Sequence, residues 1–219
     1  MNCIYCGNKK LYTLNTKQLK CSACKRKFSL EKYEKDLMII DCFTNGLSAN
    51  RCAKELSLSY ISVKKRYELF RSLIVNFLEQ EYQNKTALEY DEYYYLPKSK
   101  KKIKNNIFDM QNFITFSYEG KVYNILMPEL NRYKNQFLED TLEDVYFKEF
   151  SKFMMLNKIS KTKNIKNDIT IFWEFFELQI LKYKGVDYNN FFSYLKEIEF
   201  KFNYQMVEQK RILKELYIF

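Results

Sequence analysis

Apolar residues recur at helical spacing in the segment 31–72. Leu37, Ile40 and Phe43 mark the apolar side of a first helix, and Gly46 is placed to end it. The same periodicity continues beyond this glycine, so we expect several helices rather than one.

Two serines mark the starts of the next helices. Ser48 can cap a second helix over 49–56, and Ser59 can cap a third helix that begins at Tyr60. A serine hydroxyl at such a position accepts a hydrogen bond from a free N–H of the first helical turn. Between these two helices, Ser57 stands where a tight turn most often has glycine.

The residues around this turn fit a helix-turn-helix. Ala53 is small at the helix contact, Leu58 is apolar in the turn, and Val63 is apolar on the inner face of the third helix. We therefore predict a helix-turn-helix DNA-binding domain over 31–80. The alternative interpretation is an ordinary three-helix bundle.

Other segments predict strands and further helices. Short or aromatic-rich stretches indicate strands at 11–14, 18–20, 88–96, 112–118 and 121–126, the last two forming a hairpin that turns at Glu119-Gly120. After Pro128 the pattern becomes mainly helical, with amphipathic segments at 169–181 and 188–202. Strands followed by helices predict a separate body of mixed secondary structure.

Composition excludes several classes of protein. The 219 residues include no histidine, which rules out Ser-His-Asp and Cys-His catalysis and histidine-ligated zinc. The four glycines are too far apart for a Walker loop or a dinucleotide-binding turn, so we expect no nucleotide cofactor. No apolar run is long enough to span a membrane, and the start lacks a signal-peptide pattern. We therefore expect a cytoplasmic protein without a membrane partner.

The net charge of +10 is concentrated in two places. Residues 1–30 contain seven Lys or Arg and no acid, and a second group of lysines lies within 98–104. A basic front on a nearly neutral body is typical of a nucleic-acid binder, because contacts with phosphates release counterions. The alternative is a solvated lysine surface that keeps the protein soluble.

Four cysteines in the basic front predict a zinc ribbon over 1–30. Cys3, Cys6, Cys21 and Cys24 form a C-x2-C-x14-C-x2-C array, close to the spacing of four-cysteine zinc sites. Gly7 suits the tight turn after the first pair. A thioredoxin-like redox motif is disfavoured because its βαβ context is missing. The remaining thiols, Cys42 and Cys52, are predicted to be buried and inert.

Two sets of residues are candidates for contacts with double-stranded DNA. The outward positions of the third helix carry hydrogen-bonding and basic side chains that can reach base edges and phosphates. A lysine run further along can clamp the phosphate backbone. The predicted contacts are Tyr60, Ser62, Lys64, Lys65, Arg66, Lys98, Lys100, Lys101 and Lys102.

An ordered set of short motifs resembles one known family. The motifs are Cys-x-x-Cys-Gly at 3–7, Lys20-Cys21-x-x-Cys24-x-x-Lys27-Phe28-Ser29, Lys65-Arg66-Tyr67-x-x-Phe70-Arg71, Asp91-Glu92-x-Tyr94, Ile169-x-x-Phe172-Trp173, Lys184-Gly185 and the segment 194–203. Together they resemble bacterial insertion-sequence transposases that carry an N-terminal zinc ribbon, a helix-turn-helix and a DDE catalytic domain of RNase H fold.

The resemblance implies a fold and a chemistry. It implies an α+β multidomain protein whose RNase H-like α/β body covers 85–219, with a homodimer that holds two DNA ends in the nucleoid. In this family acidic residues hold two Mg²⁺ or Mn²⁺ ions for DNA strand cleavage and transfer. Asp91 matches the first acid, and Asp144 is the best candidate for the second, with Asp140 as the runner-up.

The closing motif departs from the family pattern. Thr170 stands where the family has an acid, and Glu177 stands where it has a lysine. A threonine cannot offer a carboxylate to a hard cation. The hypotheses left open are an active transposase, a transposase-derived DNA-binding protein without catalysis, and a zinc-ribbon transcription regulator unrelated to transposition. Phe172 and Trp173 are predicted to be core aromatics.

Overall fold

The structure is a computed structural model that describes residues 2–15, 18–97, 100, 109–128, 167–183 and 186–218. In chain order the described elements are β1 (Leu11–Thr13), β2 (Leu19–Cys21), β3 (Lys27–Phe28), α1 (Leu30–Thr44), α2 (Ala49–Glu55), α3 (Tyr60–Tyr82), β4 (Glu89–Tyr95), β5 (Gln111–Tyr118), β6 (Lys121–Leu126), α4 (Asp168–Ile180), α5 (Tyr188–Asn203) and α6 (Met206–Ile218). The chain divides into two compact units, one of Met1–Phe77 with Tyr204–Phe219 and one of Leu78–Asn203. None of the described helices is long and apolar enough to cross a membrane.

The first unit begins with a small antiparallel sheet in the order β1-β2-β3. β1 and β2 confirm the two predicted ribbon strands, whereas β3 was not predicted. One face of this sheet carries Cys21 and Phe28, which are buried together with Cys3. The three strands fit a zinc ribbon.

Three helices follow the ribbon where the apolar pattern predicts them. Ser48 caps α2 by accepting a hydrogen bond from Arg51 N at 3.3 Å, as the sequence predicts. Ser29, which was not predicted as a cap, caps α1 by accepting from Lys32 N at 3.3 Å. The buried side chains Phe43, Tyr67 and Phe70 contact one another edge-on or tilted and form an aromatic core.

The last helix groups with these three helices. The transposase resemblance implies one body over 85–219, and by its contacts α6 groups with the first unit. Ile212 and Leu213 of α6 are buried, and the ring of Tyr217 lies 5.1 Å from that of Phe70. The burial of these side chains provides the physical reason for this grouping.

The second unit is an antiparallel sheet in the order β4-β5-β6 with helices α4 and α5 on one face. The predicted strands and hairpin are confirmed, with Glu119 and Gly120 both at positive φ in the turn. The core between sheet and helices includes Phe113 and Trp173, so the predicted core position of Trp173 is confirmed. In the described part of this unit the sheet has three antiparallel strands, and an RNase H-like body stays a prediction.

Polar side chains form a continuous buried network in the second unit. Trp173 Nε1 donates to Thr115 Oγ1 at 2.9 Å, and Thr115 Oγ1 donates to Asn124 Oδ1 at 2.7 Å. Asn124 then donates from its backbone N and its Nδ2 to Glu199 Oε2, at 3.0 and 2.9 Å. Lys196 Nζ lies 3.0 Å from the same oxygen, so sheet and helices are joined by satisfied hydrogen bonds.

Candidate metal centre and nucleic-acid interface

The four predicted cysteine ligands come together in the ribbon. Cys3 Sγ lies 3.7 Å from Cys24 Sγ, and Cys6 Sγ lies 3.6 Å from Cys21 Sγ. All four sulfur atoms lie within 4.8 Å of one another. A tetrahedral ion with Zn–S bonds of about 2.3 Å requires sulfur atoms about 3.8 Å apart. The cluster can therefore hold a metal ion such as zinc.

Each pair of cysteines lies on a turn that ends in a left-handed residue. Gly7 follows the first pair with a φ of 71°, and Lys25 follows the second pair with a φ of 60°. In the first turn Gly7 N donates to Cys3 O at 3.0 Å, and in the second Ala23 N donates to Cys21 Sγ at 3.3 Å. The sequence indicates the first turn through its glycine, but no residue type marks Lys25 as its counterpart.

The surroundings of the cluster favour the thiolate form of one of the four cysteines, Cys21. Burial opposes ionisation of Cys21, but hydrogen bonds from the backbone of Cys24 and Ala23 outweigh it and lower the pKa of the Cys21 thiol to about 6. At Cys24 a backbone hydrogen bond from Arg26 favours the thiolate. Desolvation and the neighbouring thiols nevertheless raise the pKa of Cys24 to about 11. A metal ion binds such thiols as thiolates and displaces the remaining protons.

The start of α3 presents a polar and basic surface. Ser62, Lys64 and Lys65 are exposed, as predicted, and Lys64 Nζ lies 3.6 Å from Glu68 on the next turn. Tyr60 and Ile61 have exposed fractions of 49% and 64%. Ile61 is exposed although it is not among the predicted contacts.

The turn before α3 is tight. Ser57 has a φ of 51°, the left-handed conformation that glycine adopts most readily. Leu58 N donates to Ala53 O at 2.8 Å, which connects the turn to α2. Val63, on the inner face of α3, is buried. Ala53, Leu58 and Val63 are the residues on which the predicted helix-turn-helix rests.

Arg66 has a structural partner. Its Nε lies 2.6 Å from Oδ1 of Asp36, a buried carboxylate on α1. Burial opposes the charge on Arg66, but Asp36 outweighs it and raises the pKa of the guanidinium. Of the predicted DNA contacts on α3, this side chain is therefore placed to connect α3 with α1 rather than to face solvent freely.

The predicted lysine clamp is described at one position. Lys100 is exposed, and its Nζ lies 2.7 Å from Asp109 Oδ2. Lys98, Lys101 and Lys102 lie outside the described residues.

The predicted catalytic acid Asp91 lies on β4. Its side chain is exposed, and Oδ1 accepts a hydrogen bond from Glu92 N at 2.8 Å. Glu89, two residues earlier on the same strand, accepts a hydrogen bond from Asn167 Nδ2 at 2.8 Å. Asp144 and Asp140 lie outside the described residues. Within the described ranges, the four cysteines are the only group of three or more Cys, Asp or Glu arranged to hold a metal ion.

The two residues that depart from the transposase pattern have structural partners. Thr170 N donates to Asn167 Oδ1 at 2.9 Å, and Asn167 N donates to Thr170 Oγ1 at 3.1 Å, forming a capping box at the start of α4. Glu177 accepts a hydrogen bond from Tyr93 OH at 2.7 Å. Both side chains therefore contribute to the packing of α4.

Comparisons of the chain with protein families, with curated proteins and with solved structures find no match. The candidate function is therefore argued from the residues and geometry of this chain.

Proposed function

We propose that this chain is a zinc-containing protein that binds double-stranded DNA through the first turns of α3. The observation that carries the proposal is the exposed group of Tyr60, Ser62, Lys64 and Lys65 at the start of a helix that follows a tight turn. Such a helix end can enter the major groove, where side chains reach base edges and phosphates.

The charge of the same unit supports this proposal. The ribbon contributes seven Lys or Arg and no acid, so it attracts a polyanion whatever its sequence. In this proposal the ion held by Cys3, Cys6, Cys21 and Cys24 is Zn²⁺, which suits four thiolates in tetrahedral geometry. The ion orders the ribbon, and α3 provides the preference for particular bases.

Removing the two exposed lysines of α3 is expected to weaken duplex binding. The double variant Lys64→Gln with Lys65→Gln loses two phosphate-neutralising charges. The slope of log affinity against log salt concentration should therefore decrease by about 2, at roughly 0.9 per contact. Fluorescence anisotropy with a labelled duplex at several salt concentrations measures both the affinity and the slope.

A matched control separates α3 from the general charge of the protein. Lys32→Gln with Lys35→Gln removes the same charge from exposed positions on α1. This control should change the salt slope less than the α3 variant. Two results would contradict the proposal. One is an equal salt slope for the two variants, and the other is a duplex affinity of the unmodified protein that does not change with salt concentration.

DNA strand cleavage and transfer is the second candidate function. Asp91 lies on the first strand of a three-stranded antiparallel sheet that is followed by helices, which is compatible with the transposase resemblance. If the protein is active, acids including Asp91 and Asp144 would hold Mg²⁺ or Mn²⁺, and a homodimer would hold two DNA ends. The capping box of Thr170 favours the alternative, a transposase-derived protein that binds DNA without cutting it.

Cleavage assays distinguish these two alternatives. An active enzyme should cut and join DNA carrying its element ends in the presence of Mg²⁺ or Mn²⁺, and Asp91→Ala should abolish both reactions by removing a metal ligand. Glu174→Ala, which removes an exposed acid from α4, should retain them. Duplex binding without metal-dependent cleavage would reject the catalytic candidate and leave the DNA-binding proposal intact.

A further inference from the structure

The outward face of the ribbon carries a row of three side chains. Strand register places Tyr12 of β1 opposite Lys20 of β2, and Lys20 opposite Lys27 of β3. Residues paired in this way point to the same face of a sheet. The opposite face is taken up by the cysteines and Phe28. We call Tyr12, Lys20 and Lys27 the Tyr12 row.

The Tyr12 row is open and strongly basic. Tyr12 has an exposed fraction of 50%, Lys27 is exposed and Lys20 is half-buried. Lys10 adds a further charge, with its Nζ 5.9 Å from the centre of the Tyr12 ring. Residues 1–30 contain no acid, and within the described part of the chain neither lysine of the row forms an ion pair.

Without a ligand, the two lysines of the row repel each other and destabilise the sheet. Like charges directly opposite each other on neighbouring strands destabilise a sheet, and here Lys20 faces Lys27. A phosphate placed between them would remove this repulsion. The row is therefore complementary in charge to a phosphodiester backbone.

The exposed tyrosine identifies the form of the nucleic acid. An aromatic ring among lysines on an open sheet face is suited to stack an unpaired base while the lysines contact the phosphates beside it. The bases of a duplex stack on one another and leave no face for such a ring. We infer that the Tyr12 row binds single-stranded DNA, with one base stacked on Tyr12 and the adjoining phosphates on Lys20 and Lys27. This inference rests on the proposed function, which makes DNA the ligand.

The test compares single-stranded and duplex DNA on the full zinc-loaded chain. The probe is a labelled oligothymidylate of about 12 nucleotides, within the ~4–16 nucleotide range of single-strand sites. Tyr12→Ala should lower its affinity by about five- to 100-fold, since one stacking contact is lost. Tyr12→Phe should retain the affinity. Neither variant should change duplex affinity by more than about twofold, because the duplex contacts lie on α3.

Two lysine variants complete the design. Lys20→Gln with Lys27→Gln should weaken oligothymidylate binding and decrease its salt slope, since phosphate contacts are lost. Lys64→Gln with Lys65→Gln should weaken duplex binding and leave oligothymidylate binding unchanged. Each variant is checked for its zinc content. If Tyr12→Ala loses zinc, Tyr12→Thr replaces it, because threonine is a good strand former.

The possible outcomes separate this inference from the proposed function. A protein that binds duplex but not oligothymidylate overturns the inference alone, and a protein that binds neither overturns both. The inference is also overturned if Tyr12→Ala binds oligothymidylate as tightly as the unmodified protein does. The same holds if Tyr12→Ala lowers the affinities for duplex and for single-stranded DNA by the same factor. Tighter binding of oligouridylate than of oligothymidylate would identify RNA as the ligand and reject DNA.

Discussion

Replacing Cys21 by serine is expected to remove the proposed zinc ion from the ribbon and to unfold its described residues, 2–15 and 18–28. Cys21 lies at the end of β2, its side chain is completely buried, and its Sγ lies 3.6 Å from that of Cys6. A serine hydroxyl is a poor ligand for an ion that three thiolates already hold, so the coordination becomes incomplete. Far-UV circular dichroism and the zinc content of the purified protein measure the two effects.

The expected effect is large because little else holds the ribbon together. Its buried core consists of Cys3, Cys21 and Phe28, and two of these three residues belong to the cluster that can hold a metal ion. Structural zinc contributes about 10–16 kcal/mol in peptides of this kind. A segment this small buries too little apolar surface to fold without such a contribution. A chelator should therefore have the same effect on the unmodified protein as the Cys21→Ser substitution.

Cys42→Ala is the matched control. Cys42 is buried in α1, where desolvation and the neighbouring Cys52 raise the pKa of its thiol to about 12. It therefore remains a protonated thiol at neutral pH, as predicted for an inert cysteine, and its removal should leave the zinc content unchanged. A Cys21→Ser protein with its full zinc content and an ordered ribbon would show that the four thiols are not the metal site.

Local patterns in the sequence predict the elements and the cysteine cluster. The helical spacing of Leu37, Ile40 and Phe43 and the capping serine Ser48 are properties of a few neighbouring residues, so they can be recognised without a structure. The same holds for the C-x2-C pairs, because each pair lies on one turn. The two-residue strand β3 could not be predicted, since so short a segment has no periodicity.

Contacts between distant residues are not visible in the sequence. Arg66 has the spacing of an outward residue on α3, yet its partner Asp36 lies thirty residues earlier in the chain. Lys196 and Glu199 look like charges on the solvent side of an amphipathic helix, whereas both are buried. Tertiary packing brings Asp36 to Arg66. Lys196 and Glu199 lie three residues apart on α5, but it is packing against the sheet, where Asn124 donates to Glu199, that buries them, and periodicity does not encode this packing.

The candidate catalytic site shows the same limit. A single acid such as Asp91 can be matched to a motif, but a metal site needs several acids that converge in space. Thr170 and Glu177 are explained by their contacts with Asn167 and Tyr93, which the sequence does not reveal. The resemblance to transposases therefore predicts metal-dependent cleavage. Which acids would hold the metal ions can be identified only from side chains that converge in space.

Glu199→Ala is expected to destabilise the second unit by about 3–5 kcal/mol, the cost of leaving a buried charge without its partner. Glu199 and Lys196 have no exposed side-chain area, and their charged groups lie 3.0 Å apart. Burial raises the pKa of Glu199 and lowers that of Lys196, and each partner partly offsets the shift of the other. The alanine would also leave two N–H donors of Asn124 without their acceptor.

The fluorescence of Trp173 provides a specific measurement. Trp173 is the only tryptophan of the chain, and it lies in the core of the second unit. It also belongs to the same network, because its Nε1 donates to Thr115, which donates to Asn124. Urea titration followed by tryptophan emission therefore reports the unfolding of this unit and not of the ribbon. Lys85→Ala, which breaks the more exposed pair with Glu119, should destabilise the unit far less than Glu199→Ala, because solvent screens an exposed ion pair.

A double variant distinguishes an unpaired charge from a loss of packing. In Lys196→Met with Glu199→Gln, the glutamine oxygen can still accept from Asn124, and the methionine can contact the Tyr123 ring, which lies 3.6 Å from Lys196 Nζ. No buried charge remains, so this protein should recover most of the stability that Glu199→Ala loses. A double variant as unstable as Glu199→Ala would show that shape, and not charge compensation, determines the stability at this site. A Glu199→Ala protein as stable as the unmodified chain would show that Lys196 loses its proton or reaches water at little cost.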